Sequence, residues 1–299
     1  MVSPINPHTH TPNIMSLIIK ADARRAAQKN RPIKAAIFGS SGTGKTTQAR
    51  TLDPEKTLFI DLEAGTLAVD GWDGDVISVR DVAGALNVHP WEVAQALALY
   101  LGGPDPATAD REGDRYNRAY YEQIVEVFKS DIDLAKYDTI FVDSITEVSR
   151  QCFAFAKTQP AAFSAKTGEP DTRGAYGILG QEMVRWLKHL QHAPFSVIVV
   201  GILNEEKDDL GRKSFVPQVE GSKTANELPG IFDLVLTLTS DKDNGRQFVC
   251  HQSNPLKYPA KDRSGTLELH EPADLGKLLK KVKAGKRIDI KLDPVNQSA

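Results

Sequence analysis

Short apolar runs alternate with longer amphipathic stretches through most of the chain. Ile33-Lys34-Ala35-Ala36-Ile37-Phe38, Thr57–Asp61, Asp75–Val79, Asp138–Ser144 and Phe195–Leu203 have the length and content of buried strands. Between them, Pro90–Leu101, Tyr116–Phe128, Ile145–Lys157 and Tyr176–His192 read as helices. In Tyr116–Phe128 the residues Tyr120, Ile124, Val127 and Phe128 fall close to one face. In Tyr176–His192 the stripe Ile178/Leu179, Met183, Trp186/Leu187 and Leu190 is core material. Residues 17–30 predict a short helix, 102–114 a surface loop and 158–174 a mobile loop. Asn204–Thr224 predicts a hairpin or flexible loop. Ile231–Thr239 and Arg246–His251 predict two strands joined by a tight turn at Asp241–Gly245. A strand at Thr266–Leu269 and a helix at Pro272–Lys283 follow. This order predicts an α/β fold: three layers, a mostly parallel central sheet and antiparallel strands at its C-terminal edge. The expected division is a disordered tail at 1–16, one core at 17–271, and a basic helix and tail at 272–299.

Composition narrows the function classes. The 299 residues carry a net charge of −2, so contact with nucleic acid would have to come from local basic patches. The cysteines, Cys152 and Cys250, lack metal or disulfide spacing and point to a reducing compartment. The apolar patch Ile14–Ile19 is too short for a signal peptide, and no run reaches the length of a membrane span. A cytoplasmic protein without a membrane partner is expected. His8 and His10 lie in the polar tail, where a floppy segment competes with metal binding.

The chemistry concentrates after the first strand. Gly39-Ser40-Ser41-Gly42-Thr43-Gly44-Lys45-Thr46 satisfies G-x-x-x-x-G-K-[ST] at every fixed position, with Thr47 opening the helix expected to follow. Glycines let consecutive N–H groups curl around a phosphate, and the helix N-terminus adds a positive dipole end. Gly39 through Thr47 are therefore the predicted nucleotide-binding residues, with Lys45 reaching the β- and γ-phosphates and Thr46 a Mg²⁺ ligand. Asp143, ending the strand Thr139–Val142, is the second candidate for Mg²⁺; a helix cap is its alternative role. Ser144 occupies the position where many proteins with this phosphate-loop motif carry a catalytic acid, so a water-positioning group for hydrolysis would have to come from elsewhere. Glu63, at the end of the second strand, is the candidate; a plain surface carboxylate is the alternative.

Two segments carry a family resemblance. Phe59-Ile60-Asp61-Leu62-Glu63 resembles the strand-plus-glutamate segment of RecA-type recombinases, and Ile140-Phe141-Val142-Asp143-Ser144 resembles their hydrophobic-run-Asp-Ser motif. Over residues 30–270 the chain is similar to phage nucleotide-binding proteins with a RecA/RadA-like core, including the Sak-type single-strand annealing ATPases. The resemblance implies an ATP- and Mg²⁺-dependent ATPase acting on single-stranded DNA in phage recombination or annealing, in the cytoplasm of a bacterial host. It implies Glu63 as the water-activating base and Asn204 as a γ-phosphate sensor, where a strand-end cap is the alternative. It further implies residues 158–175 and 205–228 as DNA loops, bearing Lys157, Lys166, Arg173, Lys207, Arg212, Lys213 and Lys223. Glu205, Glu206, Asp208 and Asp209 dilute that charge, and a pair of solvated loops is the alternative. Lys261-Asp262-Arg263-Ser264-Gly265 is similar to a K-x-R-x-G segment whose cations reach a neighbouring subunit's ATP site, which implies self-assembly into a ring or filament. Its alternative is a basic turn. The cluster Lys277, Lys280, Lys281, Lys283, Lys286, Arg287 and Lys291 suits DNA, the acidic tail of a single-strand-binding protein, or a solvated face. A DnaB-type helicase motor and a small-molecule kinase are the competing functions.

Overall fold

The structure, a computed structural model, describes residues 18–207, 211, 213–241 and 245–286. His8, His10, Asp208, Asp209, Arg212, Arg287, Lys291 and most of the turn Asp241–Gly245 fall outside them. In chain order the elements are α1 (Ala21–Ala26), β1 (Lys34–Gly39), β2 (Thr57–Asp61), β3 (Asp75–Ser78), α2 (Val79–Leu86), α3 (Pro90–Gly102) and α4 (Arg118–Phe128). Then come β4 (Thr139–Asp143), α5 (Ile145–Ala156), α6 (Thr172–His192), β5 (Ser196–Lys207), β6 (Lys213–Pro217) and α7 (Ser222–Ile231). β7 (Leu234–Asp241), β8 (Gly245–Val249), β9 (Lys261–Asp262), β10 (His270–Pro272) and α8 (Leu275–Ala284) complete the order.

The sheet runs β10-β8-β7-β1-β5-β4-β2-β3, with β6 on β5 and β9 on β7. From β3 through β7 every neighbouring pair along this path is parallel, and β8 and β10 add an antiparallel edge. This is the predicted mixed α/β architecture. Both faces of the central strands are buried, which is why they read as continuous apolar runs rather than alternating ones. Along β1 the pleat sends Ala36 and Phe38 into the layer of α3, α5 and α6, and Ala35 and Ile37 toward α8. Phe59 of β2 stacks on Phe141 of β4, centroids 5.2 Å apart, at matched register.

Several elements depart from expectation, each for a local reason. Thr46–Thr51 forms a 3-10 turn rather than an α-helix, and extended Leu52 ends it ahead of Asp53-Pro54. α2 was not anticipated; the Ser78 hydroxyl caps it by accepting from Asp81 N. Val127 is 45% exposed, because α4 faces the core through Ile124 and Phe128, with Tyr120, Tyr121 and Val125 partly buried beside them. Residues 158–171 are tied down, with Ser164 N on Glu169 O (2.8 Å) and Asp171 N on Ala162 O (2.7 Å), and Asp171 starts α6 at Thr172. Asn204–Thr224 splits into the β5–β6 hairpin and the start of α7; Pro229 and Gly230 inside α7 hid it, and because α7 extends to Ile231, β7 begins only at Leu234. Thr266–Leu269 forms no strand: Asp262 Oδ2 accepts from Thr266 N (2.9 Å) and Leu267 N (3.0 Å), taking donors a ladder would use. The last helix begins at Leu275 behind the Asp274 cap, because Pro272 belongs to β10.

α8 packs on the turn that follows the phosphate loop. Gln48 accepts from Leu275 N (3.1 Å) and donates to Ala273 O (3.3 Å), while Thr51 Oγ1 accepts from Gly276 N (3.0 Å). Among the described residues no helix is long and apolar enough to cross a membrane.

Candidate nucleotide site

The C-terminal ends of β1, β2 and β4 meet at one edge of the sheet, the crevice where α/β folds of this kind place ligands. β1 delivers Gly39 there, and the loop turns at Gly42 and Gly44 in the left-handed region, φ +80° and +93°. Lys45 Nζ lies back on the loop, donating to Gly39 O and Ser40 O at 3.0 Å each. Partial burial holds the Lys45 ammonium below the usual lysine range, and the charges of Asp143 and Glu63 oppose that shift. Both candidate carboxylates are thus electrostatically coupled to the loop lysine.

The two strand tips are stitched together. Leu62 N, just past β2, donates to Asp143 O at the end of β4 (2.7 Å). Asp61, 3% exposed, accepts from Glu63 N (3.0 Å) and Gly65 N (3.4 Å), folding the chain after β2 into a turn. That turn carries Glu63 to β4's end, where the Ser144 hydroxyl donates to its Oε1. Ser144 also caps α5 through Glu147 N (3.2 Å), so one side chain serves helix start and carboxylate. The helix-cap alternative considered for Asp143 falls to Ser144 instead.

Asp143 is 2% exposed, and its Oδ2 has no hydrogen-bond partner. Burial raises its carboxyl to about 6; Glu63 and Asp61 push the same way, while Thr46 and Lys45 pull it down. A buried, unsatisfied carboxylate oxygen beside a threonine hydroxyl suits a hard cation that takes oxygen ligands. The residues present therefore fit Mg²⁺.

The other predicted residues lie elsewhere. Asn204 is exposed on the extension of β5, opposite Val216 of β6. It stands two residues beyond Ile202, which pairs with Gly39, so it shares the sheet edge with the loop. Lys261 and Arg263 sit at the opposite edge, where β9 pairs with the start of β7. There Lys261 Nζ donates to Phe232 O (2.9 Å) and Pro229 O, and Arg263 to Gly230 O (3.2 Å) and Asp233 (2.9 Å). Within this chain they cap the end of α7. Of the loop cations, Lys213 pairs with Glu205 (3.0 Å) and Lys157 lies over the Phe153 ring (4.1 Å).

Two site residues escaped sequence reasoning. Asp61 read as the end of a strand; its place two residues before Glu63, ahead of Gly65, is an Asx-turn pattern that could have marked it. Arg246 read only as the start of a strand. Its guanidinium closes on Gly44: a Cβ there would stand 3.1 Å from Nη1 and 3.3 Å from Cζ.

With this geometry in place, a family model described as an AAA domain matches residues 31–264. No curated protein matches the chain.

Proposed function

The chain belongs to the AAA domain family of P-loop ATPases, and from that premise we propose that it hydrolyses ATP at the β1–β2–β4 edge. The observation that supports this most directly is the convergence of Glu63 and Asp143 on Lys45 from adjacent strand tips. Backbone N–H groups of the loop and Lys45 would bind the β- and γ-phosphates. Thr46 and Asp143 would hold Mg²⁺, whose chemistry is to neutralise charge on the phosphate oxygens. Glu63 orients a water and accepts its proton as the water oxygen bonds to the γ-phosphorus; the bond to the bridging oxygen breaks, releasing ADP and phosphate. Asp61 positions Glu63, and Ser144 holds it until the water arrives. Asn204, on the strand next to β1, senses the γ-phosphate from the base of the β5–β6 hairpin.

The finer reading is a RecA-like ATPase of the phage annealing or recombination class, acting on single-stranded DNA. The two segments around Glu63 and Asp143 support it, as does the hairpin that continues β5 beyond the nucleotide edge. The β5–β6 arm with Lys207 and the turn bearing Lys166 are the DNA surfaces of this reading. In an assembled form, Lys261 and Arg263 approach a neighbour's nucleotide only by exchanging their contacts on α7. ATP turnover with and without single-stranded DNA at low salt tests this. Turnover stimulated several-fold by DNA is expected. Turnover indifferent to DNA, with no retention of DNA, removes the finer reading and leaves the ATPase.

A further inference from the structure

Arg246 lies outside the motifs that define the loop, yet it is the side chain packed against Gly44. The strand register explains how it arrives there. β7 lies beside β1 with Thr237 opposite Phe38, so Leu238 and the residues after it run past Gly39. The approach is close: a Cβ at Gly39 would stand 2.7 Å from Leu238 O. β8 returns antiparallel with Arg246 opposite Ser240. Phe248, two residues on and therefore on the same side of the strand, is fully buried in the cluster that holds Ala49, just after the loop. Arg246 thus projects from β8 on the phosphate-loop side, one pleat beyond a core anchor. The pairing of β7 with both β1 and β8 fixes that position.

The charges around the loop leave a place for this cation. Asp61, Glu63 and Asp143 stand on one flank, and Lys45 is the loop's own cation. A divalent ion and Lys45 together offset those three carboxylates, which leaves the nucleotide's phosphate charge facing backbone dipoles. An arginine on the other flank supplies the missing positive group, with a planar fork suited to two phosphate oxygens. Resting on the nucleotide-binding reading above, we infer that Arg246 is a second phosphate-binding cation, delivered to the loop by the same chain. It engages the polyphosphate from the β7–β8 side, opposite the carboxylates.

Competition titrations of the full chain with ATP, ADP and AMP in Mg²⁺ test this, using wild type, Arg246→Ala, Arg246→Lys and, as a control, Lys45→Ala. Arg246→Ala is expected to weaken ATP at least tenfold and AMP less than twofold, narrowing the ATP-to-AMP affinity ratio at least fivefold. Arg246→Lys recovers part of the loss. Unchanged ATP affinity overturns the inference. So does an equal loss for AMP, which would place the contact on base or ribose. Thermal unfolding without nucleotide checks the fold; should the alanine variant not fold, Arg246→Gln carries the same comparison. If wild type itself binds no ATP, the nucleotide reading fails and this inference with it. If wild type binds and Lys45→Ala does not, a null result at Arg246 counts against Arg246 alone.

Discussion

At Asp143 the needs of folding and of the proposed metal site pull apart. Its carboxyl titrates near 6 in the folded chain, above the ordinary 3.8, so between those values the folded state holds more proton than the unfolded one. Stability from this group is therefore greatest in acid and falls as pH rises through that window. Asp143→Asn removes the buried charge, and the nucleotide-free protein should gain on the order of 2 kcal/mol at pH 7 but almost nothing at pH 4. Denaturant melts at the two pH values check this; a loss of stability at pH 7 would contradict it. Magnesium-dependent ATP affinity should drop in the same variant. Glu63→Gln should keep ATP binding and slow turnover by about 10²-fold or more, in line with loss of a general base; single-turnover kinetics would expose a normal rate.

At the scale of elements, the sequence was most readable where one force dominated. β1, β2, β4 and the core of β5 are buried on both faces, and their apolar runs mark them without ambiguity. The phosphate loop was equally legible, because backbone geometry dictates its glycines. What stayed hidden was decided by side chains far away in sequence. α7 carries Pro229 in its last turn, and the Pro229 carbonyl, an end group without a helical partner, accepts from Lys261, 32 residues on. Arg246 meets Gly44 only through the register of β7 on β1, which no local pattern encodes. The contact of α8 with the turn Thr46–Thr51 is of the same kind and gives a test. A Cβ on Gly276 would stand 2.1 Å from Thr51 O, so backbone must move in Gly276→Ala. A loss of about 1–3 kcal/mol is expected, together with weaker ATP binding, since the strained turn begins at Thr46. Calorimetry with and without nucleotide reads both.

For the whole molecule, one buried lysine joins the layers. Lys34, 5% exposed at the start of β1, donates to Ala193 O (2.7 Å) and Phe195 O, fastening the end of α6 to the sheet. Burial lowers it from 10.5 to about 8, with Asp233 opposing the shift. Between those values the unfolded chain holds more proton, so the contribution of this group to stability rises with pH across that interval. Lys34→Met should be less stable throughout by about 2–4 kcal/mol, because two buried carbonyls lose their donor. Its deficit relative to wild type should widen from pH 8 to 10. A deficit that stays constant would place the titration elsewhere.

β5 reaches from that fastened base, past Gly39, into the arm it forms with β6. The four residues Asn204–Lys207 carry it roughly 13 Å beyond the shared core, at about 3.3 Å per residue. Phe215 on the returning strand rests against Tyr258, ring centres 4.4 Å apart. An arm pivoted beside the candidate nucleotide site and braced at Phe215 would turn a small tilt at its root into a larger displacement at Lys207 and Lys213. If the chain works as proposed, a partner held at Lys207 or Lys213 would register whether the triphosphate is whole or spent.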